Sequence, residues 1–245
     1  LSHESSAKLT DTKYSIFEGD EYKSSPTDTT PKFVYYKPSH LLLSAVSWDH
    51  ADLYPTEESY FDVFKNLISN IPNTGLLVVN ADNEKAKELV QGSLCKKVIW
   101  YGKENADYIY SDLVQNTSGL DFNIKHKENI FKIHSEMIGS FQAENITGCF
   151  AMAHSIGINP DDIIKAIANF RGLKRRLEKR YTGKVAVFDD IAHSPEKAKT
   201  VLDNVKKIYS GKTIAIFEPN IGGRSRESVS KYNNAFEDAD VVIIP

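Results

Sequence analysis

The chain has 245 residues, 41% hydrophobic and 26% charged, with a net charge of -3. That length accommodates one large domain or two modest ones around buried cores, and the near-balanced charge leaves no electrostatic footprint for nucleic acid or an anionic membrane surface. No apolar run reaches the roughly 20 residues of a spanning helix, and no basic-then-apolar secretory pattern opens the chain, so a cytoplasmic protein without nucleic-acid or membrane partners is expected.

Residues 1–13 are polar and read as a loop. A short strand is predicted over 14–17, ending in Glu18-Gly19-Asp20-Glu21. Three carboxylates in four residues repel one another; a divalent cation or an exposed acidic turn would relieve them. A second strand is predicted over 32–36, stopped by Pro38, and the apolar run 41–46 has the character of a buried parallel strand. It runs into Trp48-Asp49-His50-Ala51-Asp52. A histidine between aspartates can be oriented by one carboxylate and ligate a metal through its other nitrogen, or serve structurally.

Thr56 caps a predicted helix with Glu57 and Glu58 in its first turn and a core stripe of Tyr60, Phe61, Phe64, Leu67 and Ile68. A strand over 75–80 ends in Asn80-Ala81-Asp82-Asn83, where Asn80 and Asp82 could contact a nucleotide or simply build a turn. A helix over 84–90 and a strand over 97–101 follow. Short alternating segments at 108–110, 120–124 and 130–133 predict an antiparallel meander. The sheet is therefore mixed, or a small antiparallel sheet is appended to a parallel one.

Gln142 and Asn145 stand at the entrance of an apolar helix over 146–155, facing a ligand or simply starting the helix. Asn159, Pro160, Asp161 and Asp162 cap and open another helix, which runs to 169. Cys95 and Cys149 both fall in elements predicted to be buried and read as reduced packing residues. After Gly172, a helix-ending residue, come Lys174, Arg175 and Arg176, a solvated basic face or a set of anion contacts. Asp189, Asp190 and His193 then follow the strand 184–188, at the end of a strand where α/β sheets bind ligands. Helix 194–209, strand 213–217, helix 227–236 and strand 241–244 complete a βαβαβ succession, which predicts a right-handed parallel sheet.

Several of these segments resemble motifs of one family. Glu18-Gly19-Asp20-Glu21-Tyr22 is similar to the Glu-Ala-Asp-Glu-Tyr motif of the Mur ligases, Asp49-His50-Ala51-Asp52 to their Asp-His-x-Asp, and Phe170 to Arg176 with Asp189 to Pro195 to their hinge. The resemblance covers nearly the whole chain. It implies an α/β fold: a central P-loop-NTPase-like mixed-sheet domain over 1–171, then a partial Rossmann-like domain over 172–245.

It also implies ATP-dependent amide formation through an acyl phosphate, with UDP-N-acetylmuramate and a peptide or amino acid as substrates and ATP and Mg2+ as cofactors. Residues 32–38 and 75–80 resemble the members that attach a whole tripeptide, whereas an L-alanine-adding activity is the alternative within the family. By the same likeness, Glu18 and His50 hold magnesium, and Asn145 and Gln142 lie near adenine. Arg175 or Arg176 reaches the phosphates, and Asp189, Asp190 and His193 line the opposite wall near ribose and substrate.

Phe141 and Gln142 stand where the family has His-Asn, and Ser194 where a second His is common. No Gly-x-x-x-x-Gly-Lys-[Ser/Thr] occurs in the 245 residues. The expectation is therefore a fragment of a longer enzyme, inactive alone, with a noncatalytic binding module as the alternative from another class.

Overall fold

The structure is a computed structural model that describes residues 11–48, 50, 53–219 and 232–245. Asp49, Ala51 and Asp52, and residues 227–231 of the predicted helix 227–236, lie outside the described residues. Its centre is a six-stranded sheet in the order β3-β4-β5-β6-β7-β8, formed by His40–Leu43, Leu76–Asn80, Val98–Gly102, Tyr108–Asn116, Gly119–His126 and Asn129–Ser135. The first four strands run parallel and the last three form the antiparallel meander. A mixed sheet results, as one of the two sequence readings required.

Strand β4 is buried along its whole length and feeds two cores by simple alternation. Leu77 and Val79 face α2 (Glu57–Ser69) and α3 (Glu84–Val90), while Leu76 and Val78 face the layer of α4 (Phe141–Ser155) and α5 (Pro160–Asn169). Helix α2 begins in a capping box in which Thr56 and Ser59 satisfy each other's backbone N–H groups, which removes orphan donors where the helix enters from the loop.

Two amino-terminal predictions are corrected. Residues 14–17 form no strand; Ile16 is 94% exposed, and Phe17 stacks on Tyr36 with ring centroids 4.9 Å apart. Residues 32–36 form a helix, α1 (Lys32–Tyr36), ended by Lys37 at φ 45°. A small hairpin, β1 (Lys23–Ser25) with β2 (Asp28–Pro31), delivers the chain to it. The N–H groups of Lys32 and Phe33 donate to the carbonyls of Tyr22 and Asp20. These two bonds continue the hairpin's pairing and satisfy donors that the first turn of a helix leaves without an intrahelical partner.

The carboxy-terminal unit also differs from the expected parallel succession. Strand β10 (Ala186–Asp189) pairs antiparallel with the unanticipated β9 (Glu178–Thr182). Among the described residues of this unit, only β11 (Ile214–Ile216) and β12 (Val241–Ile243) pair in parallel. Helix α6 (Pro195–Ile208) forms where a helix was expected, capped by Ser194 and with Pro195 at its first position. Cys95 is buried as expected, whereas Cys149 is exposed. Among the described residues, no helix is long and apolar enough to cross a membrane.

Candidate functional site

The first cluster sits where β3 ends and α1 begins. His50 adopts φ 55°, and its carbonyl accepts the N–H groups of Leu53 and Tyr54, each at 2.8 Å. These bonds hold a left-handed turn that costs an L-residue roughly 1–2 kcal/mol. The turn brings His50 Nε2 to 3.4 Å from Glu21 Oε1 and edge-on to Tyr22. Tyr60 also reaches Glu21, and Tyr54 donates to the Glu21 carbonyl. The acid that meets the imidazole is therefore Glu21, whereas Glu18 lies exposed in irregular backbone.

Asp20 pairs with Lys32 Nζ at 2.6 Å. Partial burial pushes the Asp20 carboxyl upward, but Lys32 and the Tyr22 N–H outweigh it and hold the group below the usual carboxylate range. Glu21 and Lys32 were not among the predicted site residues. The signal for Glu21 lay in the same acidic motif; the Lys32 contact depends on the unforeseen helix α1.

The second cluster lies at the carboxyl ends of β4 and β5. Asn80 is 3% exposed, and its Oδ1 accepts the Asp82 N–H at 2.9 Å. It is a turn-building amide whose acceptor is committed internally. Asp82 accepts the Lys103 N–H with both oxygens, at 3.2 and 3.0 Å. The approach is close enough that a side chain at Gly102 would place Cβ 2.9 Å from Asp82 Oδ1. Asp82 also lines a cavity of about 640 Å³ with Trp100, Lys103 and Asn105.

Glu144 of α4 faces this group. Burial, then the charge of Asp82, raises its carboxyl pKa, opposed by Lys103 and a bond to Asn80. Tyr110 is pushed up as well, by burial first and then by Glu144 and Asp82. Sequence spacing alone had no means of bringing Glu144 to Asp82. Of the predicted amides on α4, Gln142 is buried at 8% exposure and Asn145 is exposed.

The third cluster is the hinge. Gly172 takes φ 86°, Arg175 φ 56° and Leu177 φ 46°. Asp190 holds this strained turn: its Oδ2 accepts the Leu177 N–H and its Oδ1 the Ala192 N–H, both at 2.7 Å. Glu178 accepts the Arg175 N–H, and the Arg175 carbonyl accepts the Ile191 N–H. Each Asp190 oxygen thus accepts one backbone N–H of the loop that carries it.

Arg175 Nε stands 3.9 Å from Asp189 Oδ1, while Arg176 lines a separate cavity of about 280 Å³ with Glu136, Arg171 and Lys179. The two arginines therefore diverge. His193 Nδ1 donates to the Ile191 carbonyl at 2.8 Å, because a carbonyl can only accept. That bond selects the tautomer whose Nε2 carries a lone pair. The structure thus joins Arg175, Asp189 and His193 around one loop and His50 with the acidic motif around another; neither cavity is lined by residues from both loops.

These features define an α/β protein with a mixed central sheet followed by a further α/β unit. Residues 3–153 match the family model for the Mur ligase middle domain and residues 175–244 that for the Mur ligase, glutamate ligase domain. The chain belongs to the Mur ligase family.

The UDP-N-acetylmuramate--L-alanyl-gamma-D-glutamyl-meso-2,6-diaminoheptandioate ligase of Haemophilus influenzae is 30% identical over 217 residues, covering 87% of this chain and 48% of that protein. The UDP-N-acetylmuramate--L-alanine ligase of Caldicellulosiruptor bescii is 29% identical over 237 residues, covering 95% and 50%. The crystal structure of the UDP-N-acetylmuramate-alanine ligase of Thermotoga maritima shares the fold with a TM-score of 0.70 at 20% identity, covering 85% of this chain and 46% of that one. The chain spans about half the length of the curated relatives it matches.

Proposed function

We propose that these residues form the central unit, ending at 171, and part of the carboxy-terminal unit of an ATP-dependent ligase. This ligase joins UDP-N-acetylmuramate to the tripeptide L-Ala-γ-D-Glu-meso-diaminopimelate. The reading is supported above all by Glu21 of the acidic motif standing beside His50 and Arg175 beside Asp189, in the chain order of the two family models. ATP would phosphorylate the muramyl carboxylate; the incoming amine would then attack the acyl phosphate, forming the amide bond and releasing phosphate.

In this reading Glu18 and His50, with Glu21 against the imidazole, hold the magnesium. Among the described residues no group of three or more His, Cys, Asp or Glu converges into a closed metal cage. Carboxylate oxygens suit a hard cation that draws most of its ligands from water and phosphate, and the imidazole is the softer member of the set. Magnesium supplies charge neutralisation at the phosphates.

Arg175 meets phosphate charge and is returned toward Asp189 when the ligand leaves. Asp189 addresses ribose, and His193 presents Nε2 to the substrate side. Gln142 and Asn145 flank adenine, Asp82 borders the nucleotide region, and Asn80 and Asp190 act by shaping the turns that carry these groups.

The test is phosphate release by the full-length protein with ATP, UDP-N-acetylmuramate and either the tripeptide or L-alanine. Turnover with the tripeptide and not with L-alanine is expected. The L-alanine reading is favoured by the 29% identity to the Caldicellulosiruptor bescii protein, and turnover with L-alanine alone would establish it. Nucleotide binding without turnover on either substrate would favour a noncatalytic module.

A further inference from the structure

Helix α4 starts at Ser140, whose side chain makes no capping bond. The Ser140 N–H is instead satisfied from the other unit: it donates to Asn204 Oδ1 of α6 at 3.0 Å. Asn204 is 3% exposed, and its Nδ2 donates to the Thr200 carbonyl one turn earlier in α6. The amide is therefore gripped on both sides, and a buried polar side chain fixed in this way specifies a single geometry.

Both helices lead to the candidate site. From Asn204, α6 runs back nine residues to Pro195, about 14 Å at 1.5 Å per residue, and there meets the loop of Asp189, Asp190 and His193. From Ser140, α4 proceeds directly to Gln142, Glu144 and Asn145. A displacement of α6 at Asn204 would therefore be carried by a rigid helix to the His193 loop.

We propose that Asn204 is a positioning residue: an interdomain pin that caps α4 in trans and fixes the placement of the Asp189–His193 loop relative to the amides of α4. Its bearing on nucleotide binding rests on the function proposed above; the pin itself does not.

The test compares Asn204→Leu, Asn204→Asp and Ser140→Pro in this chain. Leucine deletes the acceptor, whereas aspartate keeps an oxygen facing a helix start that favours negative charge. Proline deletes the donor from the opposite side at a residue whose φ of -59° already suits it. Hydrogen exchange of the amides at 141–143 and the distance distribution between labels at Lys127→Cys and Lys212→Cys, in a Cys149→Ser background, are the readouts.

Asn204→Leu is expected to speed exchange at 141–143 about five- to tenfold, the effect of losing one hydrogen bond, and to broaden the distance distribution, with Asn204→Asp, which keeps the acceptor for Ser140 but loses the donor to Thr200, falling between parent and leucine in both. Ser140→Pro should broaden the distances equally, and the double variant should add nothing further. Additive effects, or distances unchanged in both single variants, overturn the pin. Adenine-nucleotide affinity is measured alongside: absence of binding in the unsubstituted full-length protein refutes the functional reading while leaving the pin to be judged by exchange and distance.

Discussion

Asp190 is predicted to stabilise the hinge whether or not any ligand is present. Its two oxygens accept the Leu177 and Ala192 N–H groups at 2.7 Å, and a hydrogen bond to a charged acceptor contributes about 1.5–3 kcal/mol when well buried. Asp190 is only half-buried, so the lower end applies. The bond to Leu177 also supports a buried, non-glycine residue at φ 46°, a conformation that alone costs about 1–2 kcal/mol.

Asp190→Ala should therefore destabilise the folded chain by about 2–3 kcal/mol. Asp190→Asn, which keeps one acceptor but turns an NH2 toward the other N–H, should cost about 1–2 kcal/mol. For a chain of this size each kcal/mol moves the melting midpoint by about 2–4 °C. Calorimetry and urea titration of the ligand-free chain would measure the loss; should the two units melt separately, the shift falls on the transition assigned to the carboxy-terminal one. A ligand-free Asp190→Ala chain within about 0.5 kcal/mol of the parent would show that the two short bonds do not hold the hinge and would return Asp190 to the ligand-facing wall.

At Glu144, burial and the Asp82 charge raise the carboxyl pKa above 4.5. The folded state thus binds the proton more tightly than the unfolded one, and stability contributed at acid pH is lost as pH rises through the folded pKa. Glu144→Gln should raise the melting temperature at pH 7.5 and lose that advantage near pH 4; a pH-independent difference would contradict the assignment.

Gly148→Ala would place Cβ 2.8 Å from Tyr101 Cζ and 3.0 Å from Leu42 Cδ1, against a fully buried ring. Overpacking of about 1–3 kcal/mol should exceed the roughly 1 kcal/mol gained in helix propensity, giving a net loss in urea titration, and a more stable variant would refute this. Arg175→Gly should relieve the strain of φ 56° and leave ligand-free stability equal or up to about 1 kcal/mol higher, while weakening triphosphate binding by the full-length protein. A marked loss of ligand-free stability would mean that the arginine serves the fold rather than the ligand.

Elements whose formation is decided within a few residues were legible in the chain. The capping residues Thr56 and Asn159 start their helices as expected, the helix 84–90 was located to the residue, and the alternating segments of 108–133 form the meander. Local hydrogen bonding and side-chain periodicity suffice for these.

Where the outcome depended on a distant neighbour, tertiary structure decided it. Residues 32–36 are helical, with carbonyls of Tyr22 and Asp20 accepting their first N–H groups, and β10 found β9 rather than a parallel partner. The sequence placed acids, histidines and arginines in the motifs of a ligase family. Which acid meets His50, which arginine approaches Asp189, and which carboxylate is consumed in holding the hinge were determined by burial and by backbone donors that no spacing rule reveals. A charge goes where its desolvation is compensated, and that partner is a property of the folded chain.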